Sequence, residues 1–143
     1  MKTLLPKGNR RRSRASKPHG PRHQSLKAAF TLDPAREEFS VRGFCHSFGV
    51  TQDSFTRLSG FSPRAVAHWA SGKIPRNSAQ KQLNELVRLF AALSELVEAQ
   101  AIGQWLKRAN SAFDGSTPLQ VIERGETDRI WRMIWELQSG NAG

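Results

Sequence analysis

The sequence predicts an all-α protein: a helix-turn-helix bundle, a long connecting helix and a small C-terminal helical domain, preceded by a disordered basic tail. Three observations carry that expectation. Apolar residues recur every three or four positions, as at Leu83, Leu86, Phe90, Leu93 and Val97, and nowhere alternate with the period of a strand. Hydroxyl or acidic N-caps, first-turn prolines and closing glycines punctuate the chain again and again. Hairpin signals and internal repeats are missing from the sequence.

Taken in order, residues 1–28 are rich in Arg, Lys, Pro, Gly and Ser and have almost nothing to bury. They cannot offset their ordering entropy and are expected to be disordered, either as an arm lying on phosphates or as a solvated extension. The helix-turn-helix domain is expected over 29–76. Asp33 is read as an N-cap with Pro34 in the first helical position, and Phe39, Val41, Phe44 and Phe48 supply apolar positions up to Gly49. Thr51 caps a second helix that turns Phe55 and Leu58 inward, and Gly60 suits a left-handed turn. Ser62 caps a third helix that opens on Pro63, buries Val66 and Trp69 and stops at Gly72. A connecting or dimerisation helix follows over 77–100, with a helical run from about Ser78 to Gln100. In the C-terminal domain, 101–143, "TPLQ" (Thr117 to Gln120) reads as a capping box and Gly125 as a stop. Thr127 is read as the cap of a last helix with Ile130, Met133, Ile134 and Leu137 on its core face. Trp131 and Trp135 lie on an adjoining face, either shielding the core or exposed as an aromatic anchor.

The net charge of +10 points toward a polyanion, but its distribution weakens that argument. Residues 1–28 hold nine of the 22 basic residues and none of the 12 acidic ones, so 29–143 is nearly neutral. Cys45 is the only cysteine, which rules out an intrachain disulfide and suits a reducing compartment. The apolar run near Met1 is too short for a signal-peptide core, and no stretch reaches the roughly 20 apolar residues of a membrane span. A cytoplasmic location without membrane contact is expected.

A helix-turn-helix reader needs a turn residue that tolerates positive φ, two helices buried on a support, and polar side chains on the first turns of the second helix. Gly60, the Phe55/Leu58 and Val66/Trp69 pairs, and Arg64 with His68 meet those needs in register. The stretch "GVTQDSFTRLSGFSPRAVAHWASGKIP" resembles the helix-turn-helix of phage-repressor-type (Xre or Cro-like) regulators. Two positions depart: Ala65 stands for the usual Thr and Ala70 for the usual Glu. The resemblance implies that Gln52 clamps a phosphate, and that Ser62, Arg64 and His68 face the major groove. Arg64 is the favoured base reader, while Lys73 and Arg76 sit on flanking backbone. Trp69 is read as core packing, while His68 reads equally as a plain helix-surface residue.

The last third, "AIGQWLKRANSAFDGSTPLQVIERGETDRIWRMIWELQSG", resembles the C-terminal toxin-binding domain of the MbcA/ParS/Xre antitoxins. Trp105-Leu106, Phe113, Gly115, Pro118-Leu119, Ile122 and Gly125 fall on that family's pattern in order. The resemblance implies an antitoxin that blocks a RES-type toxin acting on NAD and represses its own operon, dimeric, with the toxin and operator DNA as partners. Arg129, Arg132, Trp135, Gly140 and Asn141 are the candidates for the toxin contact.

Other classes compete with this reading, among them an RNA-binding protein driven by the basic arm, which lacks a stacking-aromatic platform. A stand-alone Xre-type regulator would use the C-terminal third for dimerisation alone. An enzyme finds little support: His19 and His23 share a metal-like spacing but have no third ligand, and no phosphate-cradling glycine loop is present. Neither cofactor nor metal is expected.

Overall fold

A computed structural model describes residues 39–140. Among them run seven α-helices: α1 (Val41–Phe48), α2 (Gln52–Ser59), α3 (Pro63–Ala70), α4 (Asn77–Leu93), α5 (Ile102–Trp105), α6 (Pro118–Glu123) and α7 (Thr127–Gln138). Two 3₁₀ turns, Ala99–Ala101 and Ser111–Phe113, complete the set, and no strand occurs among the described residues. The basic tail, the expected Asp33–Pro34 helix start and Asn141 all lie outside the described residues.

Local chemistry explains most helix starts. The hydroxyls of Ser40, Thr51 and Ser62 each accept an N–H three residues on at 3.0 Å, which satisfies an amide the helix itself leaves unpaired. Thr117 and Gln120 close the expected capping box, at 3.1 and 2.9 Å. Gly49 and Gly60 adopt left-handed φ values of 63° and 75°, where a side chain would be strained.

One buried cluster runs from Phe39 to Ile134 and so crosses the expected boundaries at 76/77 and 100/101. Its centre is aromatic: Phe44 packs against Phe48 and Phe90 at 4.8 Å each and against Phe55 at 5.3 Å. α2 packs on both α3 and α6, while α7 rests on α4 and α6. The tightest approach lies between the chain's two halves. A Cβ at Gly103 would collide with the Gly49 carbonyl, and one at Gly49 with the Gln100 carbonyl.

Four expectations need correction. The first described helix begins at Val41, capped by Ser40, so Phe39 stands outside it and instead stacks on Phe55 as a buried plug. The long helix ends at Leu93, not near Gln100. Its Ser94 hydroxyl bonds back to the Ala91 carbonyl at 2.6 Å, and the chain turns so that Ala99–Ala101 packs on α1. A straight helix would carry Gln100 and Gly103 away from Gly49; that tertiary contact outweighs local propensity. Thr127 is the first residue inside α7 and Glu126 holds the cap position, without a side-chain hydrogen bond. Leu137 is 46% exposed and does not belong to the core face, which is Ile130 and Ile134 with half-buried Met133.

Candidate functional site

Helices α2 to α4 bring most of the DNA-contact candidates together. Ser62, Arg64, His68 and Arg76 line one shallow concavity of about 440 Å³, floored by Ala65, Trp69 and Ala79. Capping decides this geometry: Ser62 starts α3, so Arg64 and His68 fall one turn apart on its exposed side. Arg76 arrives from the start of α4, where the chain returns after α3. Gln52 and Lys73 are exposed but do not line the concavity. Gln52 opens α2, and the Lys73 amide closes α3 on the His68 carbonyl at 3.3 Å. Trp69 is half-buried and meets the Phe61 ring edge-on at 4.9 Å, so its indole packs against the core side of α3.

No carboxylate among the described residues pairs with Arg64, Lys73 or Arg76. A cluster of free cations beside a helix N-terminus, where amide N–H groups point outward, suits phosphate. Cys45 stays chemically quiet, because burial pushes its thiol up to about 11 and keeps it protonated at neutral pH.

The C-terminal candidates are arranged otherwise. Trp135 is 65% exposed on α7. Arg132, also exposed, pairs with Asp128 one turn earlier at 3.7 Å. Arg129 is occupied within the chain: it donates to Glu126 at 3.0 Å and Asp114 at 3.3 Å and lies 5.7 Å from the Phe113 ring centre. The hydrogen bond from Arg129 leads the causes that hold the Glu126 carboxyl below its usual range. Gly140 ends α7 with φ 78°, and Asn141 is outside the described residues. An apolar groove of about 640 Å³ runs along one flank of α7 between Leu96, Val97, Trp105, Met133 and Leu137. Trp131 borders a second groove on the opposite flank, about 500 Å³, shared with Arg57 and Glu123. The described residues include no cluster of His, Cys, Asp or Glu able to hold a metal ion. Nor is any helix among them long and apolar enough to cross a membrane.

No family model matches the chain. Individual relatives do. The chain is 33% identical over 102 residues to the probable mycobacterial cidal antitoxin Rv3188 of Mycobacterium tuberculosis, covering 71% of this chain and 88% of that protein. The chain belongs to the MbcA antitoxin family. The mycobacterial cidal antitoxin MbcA of Mycobacterium bovis is 26% identical over 102 residues, 71% of this chain and 90% of its own. The crystal structure of the M. tuberculosis MbcT–MbcA toxin–antitoxin complex contains a chain that superposes with a TM-score of 0.55 at 25% identity, covering 70% of this chain and 91% of that one.

Within this MbcA-family fold, sequence reasoning missed two features. Arg57 and Glu123 form a two-pronged ion pair between α2 and α6, with both hydrogen bonds at 2.8 Å. The shared hydrogen bond is the largest cause raising the Arg57 guanidinium and lowering the Glu123 carboxyl. Sixty-six residues separate the partners, so no local pattern marks them. Gly103 is the second. A glycine inside the apolar run "AIGQWL" is the local signal of that close backbone approach.

Proposed function

We propose that this protein is an antitoxin that binds and blocks a cognate RES-type toxin acting on NAD, and that represses its own operon through α2 and α3. The observation that carries the DNA half is the convergence of Ser62, Arg64, His68 and Arg76 on one exposed concavity whose arginines have no carboxylate partner. Arg64 serves as base reader, and Arg76, Lys73 and Gln52 hold phosphates on either side. A homodimer would set two α3 helices about one DNA turn (~34 Å) apart on a palindromic operator.

Family membership supports the antitoxin half, and the solved MbcT–MbcA complex shows that a relative of this fold binds a toxin. Exposed Trp135, with Arg132 beside it and Gly140 and Asn141 following, is the part of this chain proposed to meet the toxin. Arg129 serves that surface indirectly, by bracing α7 against Asp114 and Phe113.

Co-expression tests the reading. The full chain should restore growth to cells expressing the toxin encoded beside it, and should repress a reporter driven by its own upstream region. Repression without any rescue would favour the stand-alone regulator; rescue without repression would remove the DNA half.

A further inference from the structure

One contact between the two halves of the chain, an ion pair, belongs to neither proposed binding face. Arg57 lies in the last turn of α2, and its Nε and Nη2 donate to the two carboxylate oxygens of Glu123 at the end of α6. Such a fork fixes direction as well as distance, because both N–H vectors must align at once. Two residues further on, the Gln82 side chain of α4 donates to the Ser59 carbonyl at 2.8 Å. Ser59 ends α2, and the chain turns at Gly60 before α3 departs. The end of α2 that aims the reading helix is therefore held by α4 and α6, both outside the helix-turn-helix.

We propose that Arg57 and Glu123 are a positioning pair, through which the C-terminal unit sets the angle at which α3 offers Arg64 and His68 to DNA. The inference rests on the DNA-reading function proposed above. Hydrogen bonds to base edges weaken steeply beyond a few tenths of an ångström, so a small change in the tilt of α3 reaches the bases. An exposed ion pair adds little to folding, which leaves the pair's effect visible in recognition rather than in stability.

The test uses full-length protein and a duplex that the wild type selects from a randomised DNA pool, at one fixed salt concentration. R57Q and E123Q should each bind that duplex roughly three- to fivefold more weakly, the scale of an exposed pair, with unchanged helical circular dichroism and only a slight drop in melting temperature. The charge-exchanged variant R57E/E123R should recover wild-type affinity, which a direct phosphate contact by Arg57 would not permit. E123Q binding as tightly as wild type or tighter, or no recovery in the exchanged variant, would overturn the positioning role. If R64A loses binding while E123Q keeps it, the DNA reading stands and the positioning role alone falls. If the wild type enriches no duplex, or R64A binds undiminished, the DNA reading fails and takes the inference with it.

Discussion

The two ends of this molecule spend the same residue types in opposite ways. Around α3 the cations are free and the aromatics are packed: Arg64, Lys73 and Arg76 have no carboxylate partner among the described residues, while Trp69 is half-buried on Phe61. Along α6 and α7 the order reverses. Arg124, Arg129 and Arg132 all sit beside carboxylates, and Trp135 stands 65% exposed. A surface of unpaired cations is suited to a polyanion, and one of neutralised cations with an exposed indole to another protein. Net charge alone could not have separated the two, since most of the excess sits in residues 1–28.

One core nevertheless joins these ends, and the sharpest way to break the comparison is at the seam. Gly103→Ala puts a methyl group into the Gly49 backbone, which cannot rotate aside as a side chain could. Its cost should fall at the upper end of the range for overpacking, about 3 kcal/mol, read by thermal or urea melts. Both ends should lose structure in one transition; two separate transitions would mean that the halves fold independently. Next in size is Arg64→Ala, expected to cost roughly 1–3 kcal/mol of DNA affinity and to relax specificity at one base pair, with melting unchanged.

A smaller effect follows from the ion pair between α2 and α6. The Glu123 carboxyl is held below its usual range in the fold, above all by the hydrogen bond from Arg57. Its stabilisation is therefore complete above the carboxyl's unfolded value and disappears as pH falls through the folded one. Both side chains are partly solvated, which limits the pair to about 1 kcal/mol or less. Wild type should thus melt slightly above Glu123→Gln at pH 7, and the gap should close in acid melts below about pH 4. A gap that widens in acid would reverse the assigned sign. The smallest expected signal is from Cys45: with its thiol raised to about 11, the native protein should resist alkylation at neutral pH, and rapid labelling would contradict its burial.

Features written in adjacent residues were legible from the sequence. The Thr51, Ser62 and Thr117 caps and the turns at Gly49 and Gly60 each depend on a few neighbouring residues, so their chemistry appears in the letters themselves. The concavity followed from them, because Ser62 sets the phase on which Arg64 and His68 lie. Features that depend on distant backbone were not legible. The helix through Leu93 ends early so that Gln100 and Gly103 can reach Gly49, and nothing between Ser94 and Glu98 spells a stop. Leu137 keeps the helical period of a core residue yet overhangs an open groove, since periodicity records a direction and not whether anything lies there. Arg57 and Glu123 looked like ordinary surface charges until folding brought their helices together.

The division of labour between α3 and α7 is tested most directly by crossing two substitutions with two assays. Arg64→Ala and Trp135→Ala should each be measured for binding to the selected duplex and for affinity toward a cognate toxin. Arg64→Ala should lose DNA affinity and keep the toxin, while Trp135→Ala should keep DNA and lose about 2 kcal/mol or more of toxin affinity. If either variant impaired both activities equally while remaining folded, or impaired the wrong one, the two faces would not be the separate instruments described.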